Sequence, residues 1–309
     1  MVRALVVSNM AASRERPGRG VFVRDQVAAL ARLDDVEVEL FEFAPGALSY
    51  PRAARTLRAR YGRCGFDVVH AHFGLTAWPS LVLRGARHAV TLHGTDVRHP
   101  RSRLLTRAAL RHMDLVAVTS EALRDELGAP AAVLPCGVAL ERFRPIPRQA
   151  ARLALGLDSE RPYLLFPADP ARSEKRVDRA RQLAGAVQLL TLGGTAPDHV
   201  TLAINAANAV LVPSDAEGFG LAVLEALACD VPVLATAVGI HPQALEGVEG
   251  TLCAPYDRDV WARALAPHLA AADPRVKGRE RTAEFSSQRM AARVADAWRS
   301  LLATDRRTY

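Results

Sequence analysis

Short apolar runs alternate with longer amphipathic stretches along nearly the whole chain. The runs have the length and the turn-forming boundaries of buried strands, and between them apolar residues recur at the three- and four-residue spacing of helices. Strands separated by helices predict parallel sheets with helices on both faces. The predicted strands are Ala4–Val7, Val36–Phe41, Val68–Ala71, Ala89–Leu92, Leu115–Val118 and Ala132–Leu134 in the first half, and Tyr163–Phe166, Gln188–Leu192, Ala209–Val212, Val231–Ala235 and Thr251–Cys253 in the second.

The proline-containing stretch 137–147 interrupts this alternation and suits a linker. We therefore predict two domains, residues 1–145 and residues 146–286, followed by a terminal helix over 287–303. The terminal helix has apolar residues at helical spacing. The other helices predicted most clearly are Phe22–Leu33, Arg52–Arg60, Leu104–His112 and Glu121–Leu127.

Length and composition agree with two soluble domains. The 309 residues are enough for two domains with separate cores, and no apolar run approaches the ~20 residues that a membrane span requires. The N-terminus leads directly into a predicted strand, which is not typical of a signal peptide. Four scattered cysteines show neither disulfide nor metal-ligand spacing. We expect a cytoplasmic protein with buried thiols and no metal site.

The charge distribution is uneven. The chain carries a formal net charge of +7, and residues 1–140 hold +6 of it. All but two of its 40 basic residues are arginine, a bias that we attribute to coding rather than to nucleic-acid binding. The excess in the first half suits an anionic acceptor or peripheral contact with a membrane surface; a solvated arginine-rich face is the alternative.

The most informative segment is 213–228, which is predicted to form a strand end, a loop with two glycines and a helix. Backbone N–H groups at Phe219, Gly220 and Leu221 then lie free at the helix start, where an anion such as phosphate is favoured. Glu217 stands in the loop and Glu225 farther along. Two separated carboxylates beside an anion site suit a sugar joined through a diphosphate to a ribose.

This pattern resembles the E-x7-E signature of family 4 (group 1) glycosyltransferases of the GT-B fold. The resemblance covers nearly the whole chain and implies two facing Rossmann-like domains with the active site in the cleft between them. It also implies a nucleotide-sugar donor, transfer with retention of anomeric configuration, and no metal cofactor. In this family the terminal helix commonly returns to the first domain, as we expect for 287–303.

The resemblance assigns roles to residues of the second domain. Arg172 and Lys175 match the Arg-x-x-Lys segment that binds the donor diphosphate, where fixed cations stabilise the charge of the departing phosphate. Glu217, with the backbone of Gly218, Phe219 and Gly220, is implied to bind the sugar hydroxyls, and Leu221 belongs to the same donor-binding segment. Glu225 is implied to bind the ribose.

In the first domain the resemblance assigns His93 to the donor sugar and Asp96 and His72 to the acceptor side. Gly20 lies in the glycine-bearing loop beside both substrates. Structural hydrogen bonding is an equal interpretation for His72. A metal site from His70 and His72 is not expected, because we place their side chains on opposite faces of the strand.

Several positions depart from the family pattern. Asp230 replaces a usual glycine, and we expect the fold to survive because aspartate tolerates a left-handed backbone. The usual Asn and Asp are missing near Cys136, before the linker. A strand–helix unit is missing between Thr195 and Ala209, so the base of the nucleotide is not predicted.

We therefore predict a retaining hexosyltransferase acting in the synthesis of a surface polysaccharide or glycolipid. Its partners would be a nucleotide sugar and a glycan or lipid-linked acceptor, at the inner face of the cell membrane. A nucleotide-sugar 2-epimerase and a non-catalytic nucleotide-sugar-binding protein remain alternatives. The 2-epimerases share the two-domain architecture, and the short second domain suggests the non-catalytic protein.

Overall fold

A six-stranded parallel sheet forms the centre of the first of two compact units in the computed structural model, which describes residues 1–304. Its strand order is β2-β1-β3-β4-β5-β6. The strands are β1 (Val2–Ser8), β2 (Val36–Glu42), β3 (Val68–His72), β4 (Arg87–Leu92), β5 (Leu115–Val118) and β6 (Ala132–Val133).

The helices of this unit connect successive strands of the sheet. Every side chain of β3 is buried, including those of His70 and His72, as expected for an inner strand of a parallel sheet that is covered on both faces. The helices are α1 (Val21–Leu30), α2 (Ser49–Tyr61), α3 (Ala77–Ser80), α4 (Thr95–Arg98), α5 (Pro100–Leu110) and α6 (Glu121–Leu127).

The second unit repeats the plan with a five-stranded parallel sheet of order β11-β10-β9-β7-β8. Its strands are β7 (Tyr163–Phe166), β8 (Gln188–Thr191), β9 (Ala209–Val212), β10 (Val233–Ala235) and β11 (Leu252–Cys253). Its helices are α7 (Arg148–Ala154), α8 (Val177–Ala184), α9 (Pro197–Ala206), α10 (Leu221–Ala228), α11 (His241–Leu245), α12 (Arg258–Ala270) and α13 (Gly278–Thr282). Only α9 lies between β8 and β9, in agreement with the shortened sequence of this region.

The last helix, α14 (Ser287–Ala303), belongs to the first unit and packs on α1. Met290, Val294 and Trp298 are buried in the same hydrophobic cluster as β1 and α1. The Trp298 indole N–H donates to Nδ1 of His70 at 3.1 Å. This helix therefore completes the core of the unit in which the chain begins.

The division between the units falls after Gly137, eight residues before the boundary expected at residue 145. The intervening residues pack as part of the second unit rather than as a free linker. Phe143 is buried, and the Arg279 guanidinium donates to the carbonyls of Leu140 and Phe143 at 2.9 and 2.7 Å. The second unit comprises Val138–Ser286 and the short stretch Glu15–Gly18.

Asp230, which stands where the resembled family has glycine, adopts a left-handed backbone with φ of 56°. Its carboxylate accepts the backbone N–H of Arg279 at 2.8 Å. The expectation that aspartate can serve at this turn is therefore confirmed.

Within residues 1–304, no helix is both long and apolar enough to cross a membrane. The cysteines are free thiols, of which Cys136 and Cys229 are buried, Cys253 is partly buried and Cys64 is exposed, so the expectation of buried thiols is wrong for Cys64. Burial raises the pKa of the Cys136 and Cys229 thiols to about 12, so both stay protonated at neutral pH.

Candidate functional site

The loop between β9 and α10 leaves the start of α10 without a side-chain cap. Gly220 is the N-cap residue, with a left-handed φ of 106°, and no side chain accepts a hydrogen bond there. The first N–H groups of a helix have no partner within the helix and carry the positive end of its dipole. This end of α10 is therefore suited to an anion, as the sequence predicted.

Lys175 and Glu217 form a nearly buried ion pair beside this loop. The Lys175 ammonium lies 2.5 Å from Oε2 of Glu217, and their side chains are 12% and 7% exposed. The Ser214 hydroxyl donates to the other carboxylate oxygen at 2.8 Å. The family resemblance places these two residues at different parts of the donor, and the structure brings them into direct contact.

A second glycine turn holds the loop of Glu217 in place. Gly239 has a φ of 59°, and a Cβ there would lie 2.4 Å from the carbonyl oxygen of Phe219 and 3.0 Å from the Cβ of Glu217. The next residue, Ile240, donates its N–H to that Phe219 carbonyl at 2.8 Å. The turn after β10 therefore packs directly against the loop that carries Glu217. A side chain at position 239 would clash with that loop, so the position requires glycine.

His241 is a residue of this region that sequence analysis did not single out. The fully buried ring donates from Nδ1 to the Thr236 carbonyl at 2.8 Å, so Nε2 carries the lone pair. Among the described residues Nε2 has no hydrogen-bond partner. It faces the Gly220 backbone, where a Cβ would lie 2.5 Å away. Burial lowers the pKa of His241, although Glu217 opposes this, and the ring is neutral at pH 7.

Arg172 stands apart from the Lys175–Glu217 pair. It is 54% exposed and bonds instead to Glu174, with Nη2 and Nε at 2.7 and 2.8 Å from the same carboxylate oxygen. To contact phosphate as predicted, Arg172 would have to break its bonds to Glu174. Arg176 pairs with Asp178 in the first turn of α8 and with Asp215 in the loop after β9, and so ties these two segments together.

The remaining predicted donor residues lie along the same segment. Phe219 is buried, and Leu221 opens α10. Gly218 directly precedes Phe219, and Glu225 lies half-buried in the second turn of the helix. Lys175, Glu217 and the loop to Leu221 are thus grouped at the carboxyl end of the second sheet, the edge at which ligands bind in such folds.

The predicted residues of the first unit form a separate group around two histidines. Nδ1 of His72 and Nε2 of His93 share a hydrogen bond of 2.9 Å, and the rings stack with centroids 5.1 Å apart. Phe22, from the start of α1, packs on His93 at 5.0 Å. Burial, together with the neighbouring histidines, lowers the pKa of both rings, that of His93 to about 3. Both imidazoles are therefore neutral at physiological pH.

The prediction that His70 and His72 point to opposite faces of the strand is wrong. Alternate residues of a strand share a face, and these two rings stack 5.2 Å apart. Trp298 and Thr91 engage both nitrogens of His70, so that ring has no nitrogen left for a ligand. In the described part of the chain, no group of three or more His, Cys, Asp or Glu is arranged to hold a metal ion.

Asp96 is buried and holds the loop after β4. Its carboxylate accepts the backbone N–H groups of His93, Gly94 and Gly74 at 2.9 to 3.2 Å. It therefore positions His93 through the backbone. Its predicted contact with the acceptor is a separate role, for which these three bonds leave little free capacity.

Gly20 is the N-cap of α1, with a left-handed φ of 73°. A Cβ at Gly20 would lie 2.4 Å from the Met10 carbonyl oxygen and 3.0 Å from Oε1 of Glu42. Glycine is therefore required at this position by contacts with other protein atoms. A role of Gly20 beside a ligand stays a prediction.

Two family patterns match the chain, one on each unit. Residues 10–142 match "Glycosyltransferase Family 4", and residues 156–285 match "Glycosyl transferases group 1".

Among similar proteins are two named D-inositol 3-phosphate glycosyltransferase. The one from Mycolicibacterium paratuberculosis is 31% identical, over 87% of this chain and 73% of its own length. The one from Mycobacterium avium is also 31% identical, over 85% of this chain and 74% of its own length.

Solved structures share the fold over almost the whole chain. Sucrose-phosphate synthase from Thermosynechococcus elongatus has a TM-score of 0.76 and 22% identity, covering 98% of this chain and 100% of its own. HepE from Anabaena in complex with UDP-glucose has a TM-score of 0.68 and 17% identity, covering 97% and 100%. Both agree with the expected GT-B fold of two parallel-sheet domains. Together with the two family patterns and the relatives at 31% identity, these similarities show that the chain belongs to the family 4 (group 1) glycosyltransferases.

Proposed function

We propose that the protein is a retaining hexosyltransferase that moves a sugar from a nucleotide-sugar donor to an acceptor hydroxyl without a metal ion. The bond between the anomeric carbon and the phosphate oxygen breaks, and a bond to the acceptor oxygen forms. The nucleoside diphosphate leaves, and the hydroxyl proton departs with it. The chemical demand on the protein is to stabilise the negative charge of the leaving phosphate.

The observation that carries the proposal is the Lys175–Glu217 pair at the uncapped start of α10. The ammonium has three N–H groups, and the bond to Glu217 uses one of them. The others are available to a phosphate oxygen that the N-terminus of α10 also attracts. Lys175 would hold the diphosphate and support departure of the leaving group, with Glu217 fixing its position.

The other roles follow the family resemblance. Arg172 would add a second cation to the diphosphate, and Glu225 would accept from the ribose hydroxyls. His93 would contact the donor sugar, with its ring held by His72 and its backbone by Asp96. Because Nε2 of His93 is bonded to His72, Nδ1 would meet the sugar hydroxyl, as a donor or as an acceptor according to the tautomer.

The acceptor is proposed as a glycan or lipid-linked sugar in surface polysaccharide or glycolipid synthesis. The protein would then work in the cytoplasm with peripheral contact to the membrane. The names of the relatives support a second class, a phosphorylated cyclitol. Its phosphate would suit the arginine-rich first unit.

A thermal-shift panel with UDP, GDP, ADP and their sugar conjugates tests the donor assignment. A ligand at 100 times its Kd stabilises the folded protein by about 2.7 kcal/mol, which raises the melting temperature measurably. A shift with one nucleotide and its conjugate supports the proposal. No shift with any of them counts against it.

Product analysis then separates the transferase from its alternatives. Conversion of the donor to an epimer in the absence of acceptor would identify an epimerase instead. Binding without turnover, with glycan, lipid-linked and cyclitol phosphate acceptors, would identify a non-catalytic binder.

A further inference from the structure

Residues 43–113 hold an extreme share of the positive charge. This stretch contains twelve arginines and only two acidic residues, a formal net charge of +10 against +7 for the entire chain. Both acids are occupied by the backbone: Asp67 accepts the N–H of Arg3 and Asp96 is buried. The remainder of the protein is therefore net negative, and the basic charge belongs to one part of the first unit.

Few of these arginines are neutralised by ion pairs. Arg87 pairs with Asp114, and Arg98 with Glu126. None of the other ten has a carboxylate partner among the described residues. All ten are exposed to solvent: Arg52, Arg55, Arg58, Arg60, Arg63, Arg84, Arg101, Arg103, Arg107 and Arg111.

Helices α2 and α5 carry seven of these ten arginines, and α3, which has no charged residue, lies between them. Helix α2 packs on α3, and α3 packs on α5. The Trp78 indole of α3 donates to the Leu105 carbonyl of α5 at 3.2 Å. We call the exposed surface of α2, α3 and α5 the arginine face.

Large apolar side chains project from α5 among its arginines. Leu104 and Leu105 are 73% and 52% exposed, and Trp78 beside them is 39% exposed. Arg101, Arg103 and Arg107 surround the two leucines in the sequence, and all are exposed. The middle of α5 therefore presents two leucines to solvent between arginines.

We infer that the arginine face binds the surface of an anionic lipid bilayer, with Leu104 and Leu105 entering the headgroup region. Basic residues near such a surface are attracted to the charged lipids, and apolar side chains between them gain from leaving water. A soluble polyanion would satisfy the arginines but would leave the leucines exposed. The combination of both residue types therefore favours lipid.

The proposed function includes peripheral contact with the membrane, and this inference assigns that contact to the arginine face. It rests on the first unit alone. Vesicle binding is measured without donor or acceptor, so failure of the membrane assignment and failure of the transferase assignment are distinguishable.

The test is flotation of the full chain with vesicles of phosphatidylcholine, pure or containing about one third phosphatidylglycerol. We expect binding to the anionic vesicles only, and weaker binding at high salt. The variant Arg103→Gln/Arg107→Gln should reduce the partition coefficient roughly thirtyfold, since each basic residue near an anionic surface contributes about fivefold. Leu104→Ser/Leu105→Ser should reduce it at least about tenfold.

Matched variants outside the arginine face provide the controls. Arg258→Gln/Arg263→Gln removes two exposed arginines from α12, and Leu153→Ser removes a leucine that is 81% exposed on α7. Both should bind vesicles as the wild type does. Circular dichroism of all variants confirms that they are folded.

Three results would overturn the inference. The first is absence of binding to anionic vesicles, and the second is equal loss in the control variants. The third is a combination of two findings: vesicle binding is weakened by the arginine substitutions but not by the leucine substitutions, and the protein binds heparin with equal affinity. That last result would assign the face to a soluble polyanion.

Discussion

Lys175 and Glu217 lie 42 residues apart in the chain and meet because of sheet topology. Lys175 follows β7 and Glu217 follows β9, and these strands are adjacent in the second sheet. Parallel strands present the loops at their carboxyl ends on one edge, so both residues arrive at the same place. The sequence could predict each residue and its strand, but their contact depends on a strand order that local patterns do not contain.

The ion pair with Glu174 is expected to hold Arg172 away from a bound phosphate. The change Glu174→Gln removes the carboxylate partner and leaves the arginine free to meet a phosphate. Exposed ion pairs contribute about 0.2–1 kcal/mol, so we expect nucleoside diphosphate to bind up to about fivefold more tightly. Isothermal titration measures this. Unchanged affinity would show that Arg172 does not reach the ligand.

Gly220 and His241 are expected to be coupled. Gly220→Ala introduces a Cβ at a positive φ and against Nε2 of the ring, and should destabilise the protein by about 1–3 kcal/mol. His241→Ala removes the steric part of that cost but not the backbone strain. A double-mutant cycle by urea unfolding should give a coupling energy above 0.5 kcal/mol. Additive effects would contradict the contact.

At the scale of elements, all eleven strands were predicted within three residues, because the apolar run of a buried parallel strand is a strong local signal. The prediction that His70 and His72 lie on opposite faces of β3 was wrong, although the two-residue period of a strand places them on the same face. The contact of His70 with Trp298 could not be predicted, because that tryptophan lies 228 residues away in the sequence.

The histidines of β3 should make folding stability depend on pH. Burial lowers the pKa of His70 to about 4 and that of His72 well below 6.5. The unfolded chain therefore binds protons that the folded protein excludes, and stability falls as the pH drops below about 6.5. Each histidine contributes about 1.4 kcal/mol per pH unit in this range.

Urea unfolding at pH 7 and pH 5 measures this effect. We expect a loss of about 2 kcal/mol for each of the two histidines. His70→Gln, which cannot titrate, should reduce the loss by the contribution of one histidine. Equal stability of the wild type at both pH values would contradict the buried neutral rings.

At the scale of the whole molecule, sequence and structure agree on two α/β units, a terminal helix belonging to the first, and family 4 membership. The sequence also indicated a basic first half. The arginine-rich segments Arg52–Arg63 and Arg98–Arg111 are evident in the sequence, and the structure adds that the helices α2 and α5 within them are linked through α3. The boundary between the units was placed late, because stretch 138–145 has the composition of a linker while its carbonyls are bonded by Arg279.

The assignment of Lys175 to the donor diphosphate is tested most directly by a binding titration. The nucleoside diphosphate found in the thermal-shift panel is titrated into Lys175→Ala and into Lys277→Ala. These are the two lysines of the chain, and Lys277 is exposed and outside the candidate site. Loss of a charge-assisted hydrogen bond costs about 1.5–3 kcal/mol. We expect Lys175→Ala to weaken binding by about ten- to a hundredfold and Lys277→Ala to bind as the wild type does. Equal binding by both variants would contradict the assignment of Lys175 and its loop to the donor diphosphate.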